Sequence, residues 1–228
     1  VQQRICDQLR QLATKHVTGE VARALEIGTG TGFLTSRLTE VFPRAKWFLN
    51  DLASGAWEYV DRYARSVDAE DIWGDAETMK FPGGLDLVAS ASTVQWFDDI
   101  AGFAHKAGEA TNSGGWLLLS TFGPDNFREI RAITGEGLEY PTVDQWHNIL
   151  TAVGYSIDYT GEYTESVVFE DPVDVLRHIR ATGVNSLSKN TWTKGLLSRF
   201  TDDYTGMFAC AGGVTLTYHP MLILARKK

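Results

Sequence analysis

The sequence contains no run of 18 consecutive apolar residues, so no stretch of it is long and apolar enough to cross a bilayer as a helix. No charged-then-apolar leader precedes the first helical pattern, and a cytoplasmic location is the resulting expectation. Cysteine is scarce: Cys6 and Cys210 stand at opposite ends of the chain with no histidine cluster beside either, which argues against a disulfide framework and a metal site alike. Two reduced, partly buried thiols are expected instead. Positive charge is also in short supply, with 21 Lys and Arg against 29 Asp and Glu and a formal net charge of -8. That balance argues against a general nucleic-acid binder, which needs a basic face to neutralise phosphates, while leaving room for a local basic patch. Internal repeats, low-complexity segments and inter-domain linkers are all missing, and no Ser/His/Asp arrangement suggests a nucleophile.

What is present is an ordinary globular composition, 43% hydrophobic and 22% charged over 228 residues, enough for one domain with a sizeable core. Val1, Ile5, Leu9 and Leu12 recur at helical spacing, and "VARALEI" reads as a buried strand running into glycines. "TGFLTSRLTEVFP" continues as a helix stopped by Pro43, and "AKWFLND" is a second strand. "GAWEYVDRYARSV" is helical, "EDIWGD" and "LDLVASAS" are strands, and "DDIAGFAHKAGEATN" is a helix capped by Gly114 and Gly115 before the strand "GWLLLSTF". Strands alternating with helices at this spacing predict a doubly wound α/β domain, a parallel sheet covered on both faces.

From about residue 124 the rhythm changes. "PDNFREIRAIT" and "TVDQWHNILTAVG" read as helices, and "SIDYTGEYTESVVFED" as a strand pair or one extended strand. "PVDVLRHIRATG" is a helix opened by Pro172 and capped by Asp171, followed by another helix in "NTWTKGLLSRFTDDYTGMF". "VTLTYHPMLILARKK" is a closing strand, and Pro220 within it predicts a bend or an edge position. The whole, 1–228, reads as a single domain with a donor-binding half over 1–123 and acceptor-side helices and closing strands over 124–228.

The chemistry concentrates in "ALEIGTGTGFLT". Gly28, Gly30 and Gly32 follow a strand and open a helix, where backbone N–H groups and a helix N-terminus meet a ligand. A dinucleotide fingerprint wants glycine or alanine at position 33, and Phe33 stands there. Glu26, two residues before the first glycine, suits a cationic ligand better than a pyrophosphate. Asp51 lies 19 residues beyond Gly32 at the end of the second strand, where a carboxylate can accept hydrogen bonds from both ribose hydroxyls.

The pattern "EIGTGTG" resembles the first motif of class I S-adenosylmethionine-dependent methyltransferases, whose donor carries a sulfonium and an amino group. That resemblance implies a Rossmann-like, mostly parallel seven-stranded sheet with its last strand antiparallel and extra helices near the acceptor side. It places Glu26, Gly28, Thr29, Gly30, Gly32, Asp51 and Leu52 against the donor, with Asp75 and Ala76 near the adenine. Ser90 and Ala91 of "LDLVASASTVQWFDD" would line the donor pocket, although the family commonly has asparagine where Ala91 stands. Gln95, Trp96 and Phe122 would begin the acceptor side.

The particular resemblance is to malonyl-ACP O-methyltransferases of biotin synthesis, through "VQWFDD", "STFGPDNFREI", "LRHIRATGVNSL" and "LTYHPMLILARK". It implies methyl transfer from S-adenosylmethionine to the free carboxylate of malonyl-acyl carrier protein, giving the methyl ester that primes pimeloyl chain synthesis. In the family an aromatic-containing segment precedes the first helix, and contacts from such a segment stay unassigned. No general base is needed, because a carboxylic acid of ordinary pKa near 4 is already ionised at pH 7. The five basic residues Arg177, Arg180, Lys189, Lys194 and Arg199 fall between Leu176 and Phe200 with no acidic residue among them. Arg180 and His178 are the candidates for the acceptor carboxylate, and Lys189, Lys194 and Arg199 for docking the acidic carrier protein. Two alternatives share the donor motifs: a methyltransferase of a small carboxylate or quinone precursor, and a non-catalytic donor-binding module.

Overall fold

The computed structural model describes residues 1–181 and 193–228. Its elements run α1 (Gln2–His16), β1 (Arg23–Ile27), α2 (Phe33–Val41), β2 (Lys46–Asp51), α3 (Trp57–Ala64), β3 (Asp68–Trp73) and β4 (Leu85–Ala91). They continue through α4 (Ile100–Ala110), β5 (Thr111–Phe122), α5 (Arg128–Thr134), α6 (Val143–Ala152), β6 (Tyr155–Glu162) and β7 (Glu165–Phe169). The last are α7 (Pro172–Ala181), α8 (Lys194–Phe208), β8 (Ala209–Cys210), β9 (Gly213–Tyr218) and β10 (Pro220–Lys227). Two compact units result, one of residues 1–121, 142–162 and 221–228, the other of 122–141 and 163–220.

The first unit is built on a seven-stranded sheet in the order β3-β2-β1-β4-β5-β10-β6. β1 pairs in parallel with β2 and β4, β2 with β3, and β4 with β5, whereas β10 runs antiparallel to β6. This is the mostly parallel sheet with an antiparallel last strand that the family resemblance implies. Strand side chains alternate between faces. Leu25, Ile27, Val88, Leu117, Leu119 and Ile223 therefore share a core with Phe103, Ala104 and Ala107 of α4 and Trp146 and Leu150 of α6. Ala24 and Glu26 point the other way, toward the face where α1 and α2 pack on one another through buried Ile5, Leu9, Leu34 and Leu38.

One helix boundary differs from expectation. α4 stops at Ala110, and Gly114 and Gly115 lie inside β5 rather than capping the helix. The β-branched Thr111 turns extended and donates its hydroxyl back to Ala107 O at 2.7 Å. Opposite it the register jumps, with Leu85 facing Thr111 but Leu87 facing Trp116, so the intervening residues bulge out of the ladder and Gly114 takes φ 81°.

The second unit carries a three-stranded sheet in the order β7-β9-β8, antiparallel throughout. Buried Glu129 of α5 accepts from the Thr217 backbone N–H at 2.9 Å and from its hydroxyl at 2.5 Å, fixing α5 on β9. The Tyr204 hydroxyl donates to Thr215 O at 2.7 Å and fixes α8 on the same strand. Asp171 caps α7 as expected, its Oδ1 accepting from the N–H groups of Val173 and Asp174 at 2.7 and 2.9 Å.

The tail strands differ from the sequence expectation in an instructive way. "SIDYTGEYTESVVFED" is two strands, β6 and β7, that belong to different sheets, and the closing strand likewise divides into β9 and β10. Pro220 opens β10, whose pairing with β6 begins only at Met221, so its missing N–H is not needed in the ladder. β10 consequently lies between β5 and β6, not at an edge.

Candidate active site

β1 neighbours β2 on one side and β4 on the other, the point in an open α/β sheet where successive crossovers diverge and a crevice opens at the carboxyl ends of the strands. The glycine turn sits there. Gly28, Gly30 and Gly32 all adopt left-handed backbone, with φ of 72°, 50° and 76°, a conformation that costs any residue with a β-carbon. The turn is held by β2: Gly28 N and Thr29 N donate to Asn50 O at 2.9 and 3.0 Å, and Gly30 N donates to Asp51 Oδ2 at 2.8 Å. Asp51 Oδ1 accepts from Ala53 N at 2.9 Å, and Asp51 O accepts from Gly74 N at 3.0 Å. The ends of β1, β2 and β3 are thereby pinned together, and each Asp51 oxygen keeps a second lone pair for a ligand hydroxyl.

Leu52 beside it is 76% exposed, an apolar surface left open at the end of β2. Asp75, just after β3, is exposed and accepts from Glu77 N at 2.8 Å, while buried Ala76 presents its carbonyl to Lys106 Nζ at 2.6 Å. At the end of β4, Ser90 is fully buried and its hydroxyl donates to Ile27 O at 2.9 Å, with Ala91 half-buried next to it. Gln95 is buried, and Trp96 is 38% exposed.

The electrostatic centre of this region is Glu26. Its side chain is 1% exposed, and neither carboxylate oxygen has a hydrogen-bond partner among the described residues. Burial pushes its pKa up to about 8, opposed by the nearby hydroxyl and backbone amide of Thr35 and reinforced by the Asp51 charge. Cys6 of α1 lies in the same region, and burial next to Glu26 raises its thiol to about 12, so it is a packing residue and not a nucleophile.

These residues fit a cationic nucleoside such as S-adenosylmethionine. A β-carbon on Gly30 would meet nothing within 4 Å, so the turn leaves room for close approach. In β1, the glycine turn, the start of α2 and the segment after β4, Glu26, Thr29 Oγ1, Thr35 Oγ1, Ser92 Oγ and Gln95 Oε1 are buried polar atoms with no partner among the described residues. Unpaired buried polar groups cost free energy that a ligand can recover. Among the described residues no group of three or more His, Cys, Asp or Glu could hold a metal ion.

The other predicted residues lie in the second unit. Phe122 and His178 come together on Tyr218: each ring centroid is 6.1 Å from the Tyr218 ring, and His178 Nε2 is 2.6 Å from its hydroxyl. Burial lowers the His178 pKa and raises that of Tyr218 to about 12, so the pair is neutral near pH 7. Arg180 on α7 and Lys194 and Arg199 on α8 are exposed, Arg177 pairs with Asp174 at 2.7 Å, and Lys189 lies outside the described residues.

A family model described as a methyltransferase domain matches residues 24–115. The malonyl-acyl-carrier-protein O-methyltransferase of Bacteroides thetaiotaomicron is 35% identical across all of this chain and 91% of its own length. That of Haemophilus influenzae is 39% identical over 91% of this chain and 79% of its own. The chain belongs to the malonyl-acyl-carrier-protein O-methyltransferase family. The fold is shared more widely. An S-adenosylmethionine-dependent methyltransferase from Mesorhizobium loti superposes with a TM-score of 0.60 at 16% identity, covering 97% of this chain and 100% of that one. Phosphoethanolamine N-methyltransferase 2 of Haemonchus contortus, solved with S-adenosyl-L-methionine, gives 0.58 at 19% identity, over 97% of this chain and 52% of that one.

In this methyltransferase three residues of the region had no signal in the sequence. Thr35, Ser92 and Thr93 are small hydroxyl residues, and nothing in their spacing marks them, because Thr35 comes to Glu26 at the start of α2 and Thr93 comes to Gly28 through the β1–β4 pairing, with Ser92 next to it in the chain. Asp51 is different, since its position relative to the glycines marked it. Asp51→Ala is expected to weaken donor binding by about 2 kcal/mol through loss of charged acceptors. Calorimetry with S-adenosylhomocysteine checks this, and an unchanged affinity would remove Asp51 from the binding site.

Proposed function

We propose that this protein transfers a methyl group from S-adenosylmethionine to the free carboxylate of malonyl-acyl carrier protein, forming the malonyl methyl ester. The observation that carries the reading is full-length similarity to enzymes of that name together with a glycine turn locked by Asp51 over a buried, unpaired Glu26. The donor, when bound, supplies an electrophilic methyl group on a sulfonium. The chain's own residues orient and desolvate. The glycine turn leaves room for the nucleoside, Asp51 accepts from its hydroxyls, and Glu26 complements the positive charge. The acceptor carboxylate is ionised at neutral pH, so alignment replaces base catalysis, and orientation of this kind supplies on the order of 7–11 kcal/mol. His178, neutral beside Tyr218, and the always-charged Arg180 are the groups we assign to the malonyl carboxylate, and Trp96 and Phe122 are assigned to the acceptor from the family resemblance.

The test is an assay with purified malonyl-acyl carrier protein and labelled donor, with mass spectrometry of the product. A carrier species heavier by one CH2, the methyl ester, is expected, and turnover of malonyl-CoA or free malonate in preference to the carrier would redirect the assignment to a small-molecule acceptor.

The exposed Lys194 and Arg199 are the described residues we assign to docking the acidic carrier protein, and Lys189 joins them from the sequence alone. Rim charges act chiefly on encounter. Reversing all three to glutamate is expected to lower kcat/KM for the carrier substrate about tenfold at low salt and to leave kcat nearly unchanged. An unchanged kcat/KM at low salt would rule out docking there.

A further inference from the structure

The segment that follows β4 carries a polar site whose donor and acceptor ends are already sorted. Ser92 adopts φ 53°, a left-handed conformation that is unfavourable for serine, and its N–H is taken up by Ser120 O at 3.0 Å and Ser120 Oγ at 3.2 Å. In that conformation its carbonyl accepts from Gln95 Nε2 at 2.6 Å. The bond fixes which way the Gln95 amide points, since a flipped amide would set oxygen against oxygen. What is left over is Oε1, and it has no partner among the described residues although Gln95 is only 8% exposed.

A lone carbonyl oxygen can only accept. A carboxylate, which also only accepts, would be repelled there, so Gln95 is unsuited to the malonyl group that its place in the sequence suggested. The same segment abuts the glycine turn: Thr93 Oγ1 lies 3.4 Å from Gly28 O, and a β-carbon on Gly28 would fall 2.7 Å from Thr93 Cβ. The donor-side ligand offers one strong hydrogen-bond donor that is neither ribose nor adenine, the ammonium of its amino-acid end. We propose that the Gln95 side-chain carbonyl accepts a hydrogen bond from this ammonium, making Gln95 a donor-binding residue that fixes the methionyl arm and, through it, the sulfonium. Ser92 is the positioning residue, because its left-handed backbone presents the carbonyl that orients the amide.

The inference rests on S-adenosylmethionine being the donor, and donor-side ligands alone test it, without any acceptor. On the wild-type protein, calorimetry with S-adenosylhomocysteine analogues should show that removing the amino group weakens binding about tenfold more than removing the carboxyl group. The near-isosteric Gln95→Met variant, which lacks the acceptor, should erase that difference, lower S-adenosylhomocysteine affinity about tenfold and leave 5′-methylthioadenosine affinity at the wild-type level. Retained methylthioadenosine binding also reports an intact fold. Equal weakening of both nucleosides, or unchanged S-adenosylhomocysteine affinity, would overturn the proposal. So would a wild-type protein indifferent to loss of the amino group. If the wild-type protein bound no adenosyl ligand at all, the donor reading itself would fall and Gln95's role with it, an outcome distinct from the other three.

Discussion

Glu26→Gln is expected to make the ligand-free protein more stable than wild type in alkaline solution while weakening donor binding by tenfold or more. The two effects have one cause. The folded carboxyl titrates at about 8 and the ordinary value is 4.5, so between those pH values the folded chain holds a proton that the unfolded chain has lost. Stability therefore falls as pH rises through that window, at most about 1.4 kcal/mol per unit and a few kcal/mol in all. The Glu26 contribution is fully present below the ordinary value and lost as pH rises through about 8. The groups facing Glu26 do not supply a compensating cation: Cys6 on α1 is a neutral thiol, Thr35 on α2 is uncharged, and Asp51 on β2 is an anion. Glutamine does not titrate, so urea unfolding of the variant at pH 5 and pH 9 should lack this fall.

Donor binding moves the other way. A cation near Glu26 favours the carboxylate, so wild-type affinity should rise as pH approaches about 8 and binding near neutrality should release a fraction of a proton. Calorimetry in buffers of different ionisation enthalpy measures that release. Glu26→Gln should abolish it. If the variant lost stability with pH as steeply as wild type, another group would be the titrating one.

Gly28→Ala is expected to cost about 3 kcal/mol of stability and most of the donor affinity. The backbone there has φ 72°, worth about 1–2 kcal/mol against a residue with a β-carbon. The added methyl would also overlap the Thr93 side chain, which sits on the Gly28 carbonyl. Thr93→Gly in the same chain should relieve the overlap and return part of the stability, leaving the backbone strain. By contrast a β-carbon at Gly30 meets nothing, so Gly30→Ala should cost only the φ strain. Equal losses at the two glycines, read by urea unfolding, would mean that Thr93 is not the neighbour that decides.

Much of the donor region was legible because it is local. Strand, glycine turn and helix follow one another in "ALEIGTGTGFLT", and the spacing to Asp51 is set by one helix and one strand whose lengths the sequence pattern gives. The structure adds that Gly30 N donates to Asp51, a bond between residues 21 apart that ties the motif's two halves. The far end was less legible. Pro220 suggested a bend or an edge, yet it opens a strand that lies inside the sheet, because position within a sheet depends on pairing with β5 and β6 and not on the strand's own composition. Gly114 and Gly115 read as a helix cap because glycine is equally at home at a bulge, and only the register between β4 and β5 distinguishes the two.

The layered α/β fold and the glycine turn between β1 and α2 follow from periodicity and from residue chemistry at fixed spacing, and so were legible in the chain alone. Tertiary structure alone decided what state the polar side chains are in. Glu26 is an ordinary carboxylate in the sequence, and its pKa is pushed up to about 8 because the fold removes it from water without giving it a cation. Gln95 is an amide with two usable ends until the left-handed Ser92 takes the nitrogen and leaves the oxygen. Protonation and hydrogen-bond polarity depend on solvent exclusion and on which groups meet across the sheet, and neither is a property of a residue's neighbours in sequence.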